Sequence, residues 1–214
     1  MNINQFLKII LKKLYKNYML NMYKNFLKLI VLSIFLSKSP FLHASESKTM
    51  ILDNLSNPGV SSQGQNWAFF TDGVMGGLSQ GKAIISKVND VNCYHMTGDV
   101  TTENNGGFIQ IRRNLNDVKL NNVKKITIIA KGNDEKYYIH LRTTFTVFPW
   151  QYYQSSFVVE NNFKSFVLPL SDFKRSGYLL PTRINPNNIK SIGIVAFGKD
   201  YNAELVVKEI SFVK

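Results

Sequence analysis

From residue 48 onward, apolar and polar residues alternate in short segments separated by Gly, Asn, Asp and Pro. In 136–145 the apolar set Tyr137, Ile139 and Leu141 interleaves with Tyr138, His140 and Arg142. Ile126, Ile128 and Ala130 alternate with Thr127 and Ile129 in the same manner. A period of two marks strands with one buried face, because successive side chains point to opposite sides of a sheet. This reading gives strands over 48–53, 67–71, 78–86, 93–100, 107–113, 125–131, 136–145, 152–159, 164–169, 191–197 and 204–212. The one short helical candidate is 171–176, where Ser171 and Asp172 suit the cap of a single turn. So many strands with turn signals between them, and no amphipathic helix, predict an all-β fold: a β-sandwich or jelly roll. No repeat or linker divides it, so 45–214 reads as one domain.

The N-terminal segment follows a different pattern. Residues 26–37 form an apolar run, Phe-Leu-Lys-Leu-Ile-Val-Leu-Ser-Ile-Phe-Leu-Ser, preceded by lysines. Its uninterrupted part, from Leu29, is too short to cross a bilayer core of roughly 30 Å as a helix. It fits the hydrophobic region of a secretory signal, with Lys24 and Lys28 ahead of it. We therefore expect 1–44 to be a signal peptide cleaved after Ala44, and the protein to be exported, in the periplasm. The bulky Leu42 before that site leaves an uncleaved membrane anchor as the alternative, and then the N-terminal segment would be the one point of membrane contact. Met19 or Met22 as the true start would give a signal of more ordinary length. A mitochondrial transit peptide fits less well, since the segment lacks Arg and contains a solid apolar block.

Charge looks at first like a nucleic-acid signature: the formal net charge is +12. Seven of the 26 basic residues lie in 1–44, which holds no acid; removing them leaves 19 basic against 14 acidic residues, a net of +5. No Lys/Arg stripe survives that subtraction, so nucleic acid is not an expected partner.

Titratable chemistry is sparse. Cys93 is alone, so there is no internal disulfide, and its place in an alternating segment suggests a buried structural thiol. A catalytic pair of Cys93 with His95 or His140 is the weaker alternative, since no motif supports it. Once the signal is removed, His95 and His140 are the remaining imidazoles. We expect no metal site, because zinc would have to recruit added carboxylates. No nucleophile elbow, metalloprotease helix or phosphate loop is present, and no cofactor is expected. Glu103 with Asp72 or Asp99 would be the candidate carboxylate pair of a glycosidase. A bond from Glu103 to backbone amides or to Arg112 is the simpler expectation.

Two glycine clusters stand out. The first runs from Trp67 through Phe69-Phe70-Thr71-Asp72-Gly73-Val74-Met75-Gly76-Gly77-Leu78-Ser79, and the second is Glu103-Asn104-Asn105-Gly106-Gly107-Phe108, followed by Arg112. Glycine pairs at loop-to-strand junctions permit positive φ and close approach of another backbone or a ligand. Asp72 and Asn105 directly before glycine suit turns. Together the motifs resemble those of the complex I intermediate-associated protein 30 family. Leu141-Arg142, 152–157, 166–173 and 189–194 also fall where that family has comparable segments, so the likeness spans about 50–212. It implies a galactose-binding-like β-sandwich and, from the mitochondrial members, an assembly factor or chaperone that binds partly built respiratory intermediates. Near the C-terminus the family often carries Gly-Pro-Phe, where this chain has 198–204 instead.

These readings converge on a non-catalytic binding module whose partner is a protein, such as a respiratory-complex subunit. A carbohydrate-binding module is the alternative, on the aromatics Phe148, Trp150, Tyr152 and Tyr153 around Pro149, unless Trp150 closes the core. The two glycine motifs are expected to sit together, as a structural keystone or as a binding edge. Candidate binding residues are Asp72, Gly76, Gly77, Ser79, Glu103, Asn104, Asn105, Gly106, Gly107, Arg112, Arg142 and Trp150.

Overall fold

The computed structural model describes residues 2–36, 48–57 and 66–214. It divides into two compact units, residues 1–46 and 47–214. The first contains one helix, α1 (Ile3–Leu36), whose 34 residues run unbroken through Met19 and Met22. Among the described residues no helix is long and apolar enough to cross a membrane. The expected cleavage site after Ala44 lies outside the described residues.

Among the described residues the second unit holds twelve strands. They are β1 (Thr49–Asp53), β2 (Ala68–Thr71), β3 (Gln80–Val88), β4 (Val91–Val100), β5 (Phe108–Asn114), β6 (Lys125–Gly132), β7 (Lys136–Thr143), β8 (Tyr153–Val158), β9 (Lys164–Pro169), β10 (Lys174–Arg175), β11 (Ile189–Phe197) and β12 (Tyr201–Val213). One antiparallel sheet has the order β3-β4-β12-β6-β9, with β1 also paired to β12. The other has the order β10-β8-β7-β11-β5-β2. The expected sandwich is what forms.

The predicted alternation becomes the core. Ile126, Ile128 and Ala130 are fully buried, as are Tyr137, Ile139 and Leu141 on β7 and Ile109 and Ile111 on β5. Burial of each such aliphatic side chain contributes about 1.5–3 kcal/mol. Tyr138, His140 and Arg142 occupy the opposite face of β7, and Gln110 and Arg112 that of β5. Trp67, which opens the first motif, is a structural residue: its indole N–H donates to Asp53 at 2.8 Å and its ring meets Tyr94 edge-on.

Two expectations need correction, one at the end of the strand read over 136–145 and one at 171–176. The segment forms a 3-10 turn, Leu170–Asp172, and then β10, not a capped α-helical turn. Ser171 Oγ donates to the neighbouring Asp172 carboxylate, and the turn has no side-chain cap. Buried Leu170 and Phe173 pin the segment to the core, while Lys174 and Arg175 pair with Gln154 and Tyr153. Tertiary pairing thus overrides a local capping preference that was worth about 1 kcal/mol. The strand expected over 136–145 also stops at Thr143, where the Thr146 hydroxyl accepts the Thr143 N–H and donates to the Thr143 carbonyl.

Candidate functional site

The two glycine motifs meet on one buried carboxylate. Asp72 opens a 3-10 turn, Asp72–Met75, that Gly76 ends at φ +88°, a left-handed geometry glycine adopts at little cost. Asp72 has no exposed surface. One of its oxygens accepts the Ser79 N–H at 2.9 Å; the other accepts the Ser79 hydroxyl, the Gly107 N–H at 2.5 Å and the Phe108 N–H at 3.2 Å. Burial alone would raise its pKa, but the Ser79 hydroxyl and the three amides outweigh that and hold it below the ordinary carboxylate value. A Cβ at Gly77 would sit 2.3 Å from the Asp72 carboxyl carbon, and one at Gly106 would sit 2.4 Å from a carboxyl oxygen. Each motif therefore needs glycine where it walls in this carboxylate.

The second motif curls into a short 3-10 turn, Glu103–Asn105, with Asn104 and Asn105 at φ +53° and +57°. Residues 198–200 prop this turn. Thr102 donates its N–H and its hydroxyl to Asp200, and Gly198 donates its N–H to the Gly107 carbonyl. Those Thr102 bonds, the backbone one foremost, lower the Asp200 pKa. Gly107 itself has φ +121°. Gly107→Val should cost more than about 2 kcal/mol through left-handed strain on a β-branched residue, seen as a lower urea midpoint.

Glu103 does not play the part expected of it. It is exposed, and among the described residues its carboxylate accepts no bond, from backbone or from Arg112; the amide-binding role belongs to Asp72. Of the two carboxylate pairings considered above, the one with Asp72 is not available, because Asp72 is sealed beneath the turn with both oxygens engaged. Cys93 is buried, on a strand of the other sheet from His140; burial raises its pKa, more than Lys208 and Lys131 lower it. Among the described residues no three His, Cys, Asp or Glu side chains cluster as metal ligands.

Above the keystone lies a cleft of about 450 Å³ on the outward face of β5, β11 and β7. Such a volume is within the usual range of ligand pockets. Asn105, Gly106, Phe108, Val74 and Met75 form one wall from the two motifs. Pro149, Trp150 and Tyr152 form another, and Arg112, Arg142, Gln110 and His140 reach in between over a floor that includes Gly193. Of the expected residues, then, Asn105, Gly106, Arg112, Arg142 and Trp150 line the cleft. Asp72, Gly77, Ser79 and Gly107 underpin it, while Gly76, Glu103 and Asn104 shape exposed turns.

Aromatic stacking fixes the walls. Phe148 and Trp150 stack at 4.9 Å with planes 5° apart, and Trp150 remains 63% exposed, so it does not close the core. Tyr153, not Trp150, enters the core. His140 and Tyr152 stack at 4.1 Å, with Phe197 edge-on to both. Arg112 lies 4.6 Å over the Phe70 ring. Arg142 donates from Nη2 to the carbonyls of Thr146 and Phe148, which holds the loop that carries Trp150.

Cleft residues that the sequence did not point to are Phe70, Gln110, Ser191, Gly193 and Phe197, while His140 was weighed only as a partner of Cys93. For Gln110, His140 and Ser191 the signal was the polar row opposite each apolar row, which on a one-sided strand would normally face water alone; Phe70, Gly193 and Phe197 carry no such signal.

His140 carries a pH consequence. Burial pushes its pKa down to about 4, and Gln154, its cross-strand neighbour, opposes this only in part. Neither His140 Nε2 nor Gln154 Oε1 makes a hydrogen bond of good geometry among the described residues. The unfolded imidazole takes up its proton near 6.5, while the folded one resists until about 4. Stability is therefore full above pH 6.5 and should fall by roughly 1–3 kcal/mol as pH drops through that window. Urea melts of wild type and His140→Gln between pH 7 and pH 4 should differ in slope, with the variant flatter.

Comparison with known proteins agrees with this architecture. No curated protein matches the chain. Among solved structures, it is similar to the family 11 carbohydrate-binding module of cellulosomal cellulase Lic26A-Cel5E of Clostridium thermocellum, with TM-score 0.61 and 19% identity over 78% of this chain and 95% of that one. The same organism's family 11 module in complex with a β-1,3-1,4-mixed-linked tetrasaccharide gives TM-score 0.60 and 19% identity, over 77% and 94% of the two chains. At that identity the likeness shows the β-sandwich fold. Residues 57–206 match the model of the complex I intermediate-associated protein 30 family, which takes in both glycine motifs and every strand that forms the cleft. The chain belongs to that family.

Proposed function

We propose that the domain is a non-catalytic binding protein, with the cleft above the Asp72 keystone as its recognition surface. Its partner is a protein, in keeping with a family described as associated with complex I intermediates. The protein thus assists assembly of a membrane or respiratory complex. The observation that carries this reading is the make-up of the cleft: among the described residues, aromatic, aliphatic and guanidinium groups without a thiol, a carboxylate or an imidazole poised for proton transfer. The signal read in 1–44 sets the binding on the exported side of the membrane.

Crosslinking tagged full-length protein in its native membranes, with mass spectrometry of what is recovered, tests this. Respiratory-complex subunits among the products would support it; free periplasmic protein with no crosslinked partner would overturn it. Asn105→Ala separates wall from keystone, because Asn105 lines the cleft but makes no bond to Asp72. It should lower partner recovery severalfold at a stability cost of about 1 kcal/mol for its left-handed backbone. Unchanged recovery by the folded variant would remove Asn105 from the binding edge.

Carbohydrate binding is the second reading, favoured by the Trp150 ring, which is open to solvent on the lip of the cleft. Binding on a glycan array that is lost in Trp150→Ala would support it.

A further inference from the structure

Among the described residues the cleft contains two guanidinium groups and no acid to oppose them. Arg112 rises from β5 and Arg142 from β7, on either side of β11; Gly193 is opposite Arg112, and Ser191 is opposite Arg142. Arg112 packs over Phe70 but forms no ion pair among the described residues. Arg142 engages two backbone carbonyls and likewise has no carboxylate partner. Among the described residues no Asp or Glu lines the cleft. Both guanidinium groups line the same cleft from the strands that flank β11, and burial first, with the neighbouring Arg142 second, lowers the Arg112 pKa. Half-buried like charges held together without a counterion are a cost in the free protein that an arriving anion removes.

The rim shows what accompanies that anion. Val74 is 70% exposed and Met75 53%, on the wall opposite the Phe148–Trp150 stack. Phe145 and Val147 extend the apolar surface along the same loop, both exposed. Ring faces alone would suit a sugar, but exposed valine and methionine gain little from a pyranose and much from apolar side chains. Aromatic, Met and Arg side chains at the centre of a patch are the composition of a protein interface.

We propose that the cleft takes an acidic side chain of the partner protein, its carboxylate held between Arg112 and Arg142, with apolar neighbours of that acid seated on Val74 and Met75 and on the Phe148–Trp150 stack. This rests on the protein-partner reading above. The planar guanidinium fork favours a two-oxygen carboxylate, so Asp or Glu flanked by Leu, Ile or Phe is the sequence sought.

The test uses full-length protein against a displayed random-peptide library, followed by synthetic copies of the enriched sequences. Enrichment should converge on an acid between apolar residues. Replacing that acid by its amide should weaken binding about tenfold or more, and Arg112→Met should do the same. The Arg112 side chain makes no hydrogen bond among the described residues, so its variants should melt like wild type; Arg142→Lys, which keeps the charge but loses the fork, is the second variant. Arg112→Glu should lose the acidic peptide and gain its Lys-substituted copy. Peptides without an acid, or binding indifferent to both arginines, would overturn the proposal. So would Arg-dependent binding of an oligogalacturonate with no peptide bound, which would assign the cleft to an acidic sugar. If the crosslinked membrane partner is still recovered by the folded Arg112→Glu variant, the partner reading stands and the carboxylate site falls.

Discussion

Asp72→Ala should destabilise the domain by about 3–5 kcal/mol, the largest single-site loss expected in this molecule. The substitution strips the partner from the Ser79, Gly107 and Phe108 amides and from the Ser79 hydroxyl around a carboxylate with no solvent exposure. Each buried donor left unsatisfied costs about 1–3 kcal/mol, and the emptied space adds a cavity. In a domain of this size that loss should lower Tm by about 10 °C or more. Asp72→Asn is the informative companion, since it keeps one acceptor oxygen but turns an amide N–H₂ toward donors. It should lose less than Asp72→Ala and more than a surface change.

The acid dependence of that difference has a definite sign. The folded pKa of Asp72 lies below the ordinary aspartate value of 3.8, so its contribution is present above that value and disappears as pH falls through the folded pKa. Wild type and Asp72→Asn should therefore converge below about pH 4, whereas the His140 loss occurs above it. Equal stability of Asp72→Ala and wild type at pH 7 would show that the meeting of the two motifs is incidental to the fold.

How much of this was legible before folding depends on the range of each interaction. The sheets were legible because a period of two is local: Tyr137, Ile139 and Leu141 announce their buried face within five residues. The keystone was half legible. The glycine pairs signalled close approach, but what approaches Gly106 is Asp72, which turns from an ordinary turn residue into a buried acceptor only when β2 pairs with β5. Glu103, the more obvious acid, lies in the same motif and faces water. The cleft was the least legible part. Arg112 and Arg142 become neighbours because β11, a strand much later in the chain, inserts between β5 and β7. β10 escaped because two residues carry no period, and its pairing with β8 is decided by Phe173 in the core.

Gly193→Val should abolish partner binding, a loss of about a hundredfold or more, while leaving the domain at least as stable as wild type. Gly193 is central on β11, on the same rung as Arg112 and His140, and it forms part of the cleft floor. Most glycines that a side chain would disturb here press on backbone or on the Asp72 carboxylate, so their replacement confounds fold with function. Gly193 differs. The nearest atom to its missing Cβ is Gln110 Oε1 at 2.9 Å, the end of a flexible side chain that can swing aside, and the next contacts are at 3.6 Å or beyond. Its φ is not left-handed, so a β-branched residue fits the strand and should gain up to about 1 kcal/mol in β-propensity. The isopropyl group would then fill the floor between the two arginines, and an arriving carboxylate would meet methyl groups in place of open space. Crosslinked recovery and a thermal melt on the same preparation separate the outcomes. Lost recovery with a retained or raised Tm makes the cleft floor the recognition surface. Retained recovery with an unchanged melt would move recognition to another face of the sandwich.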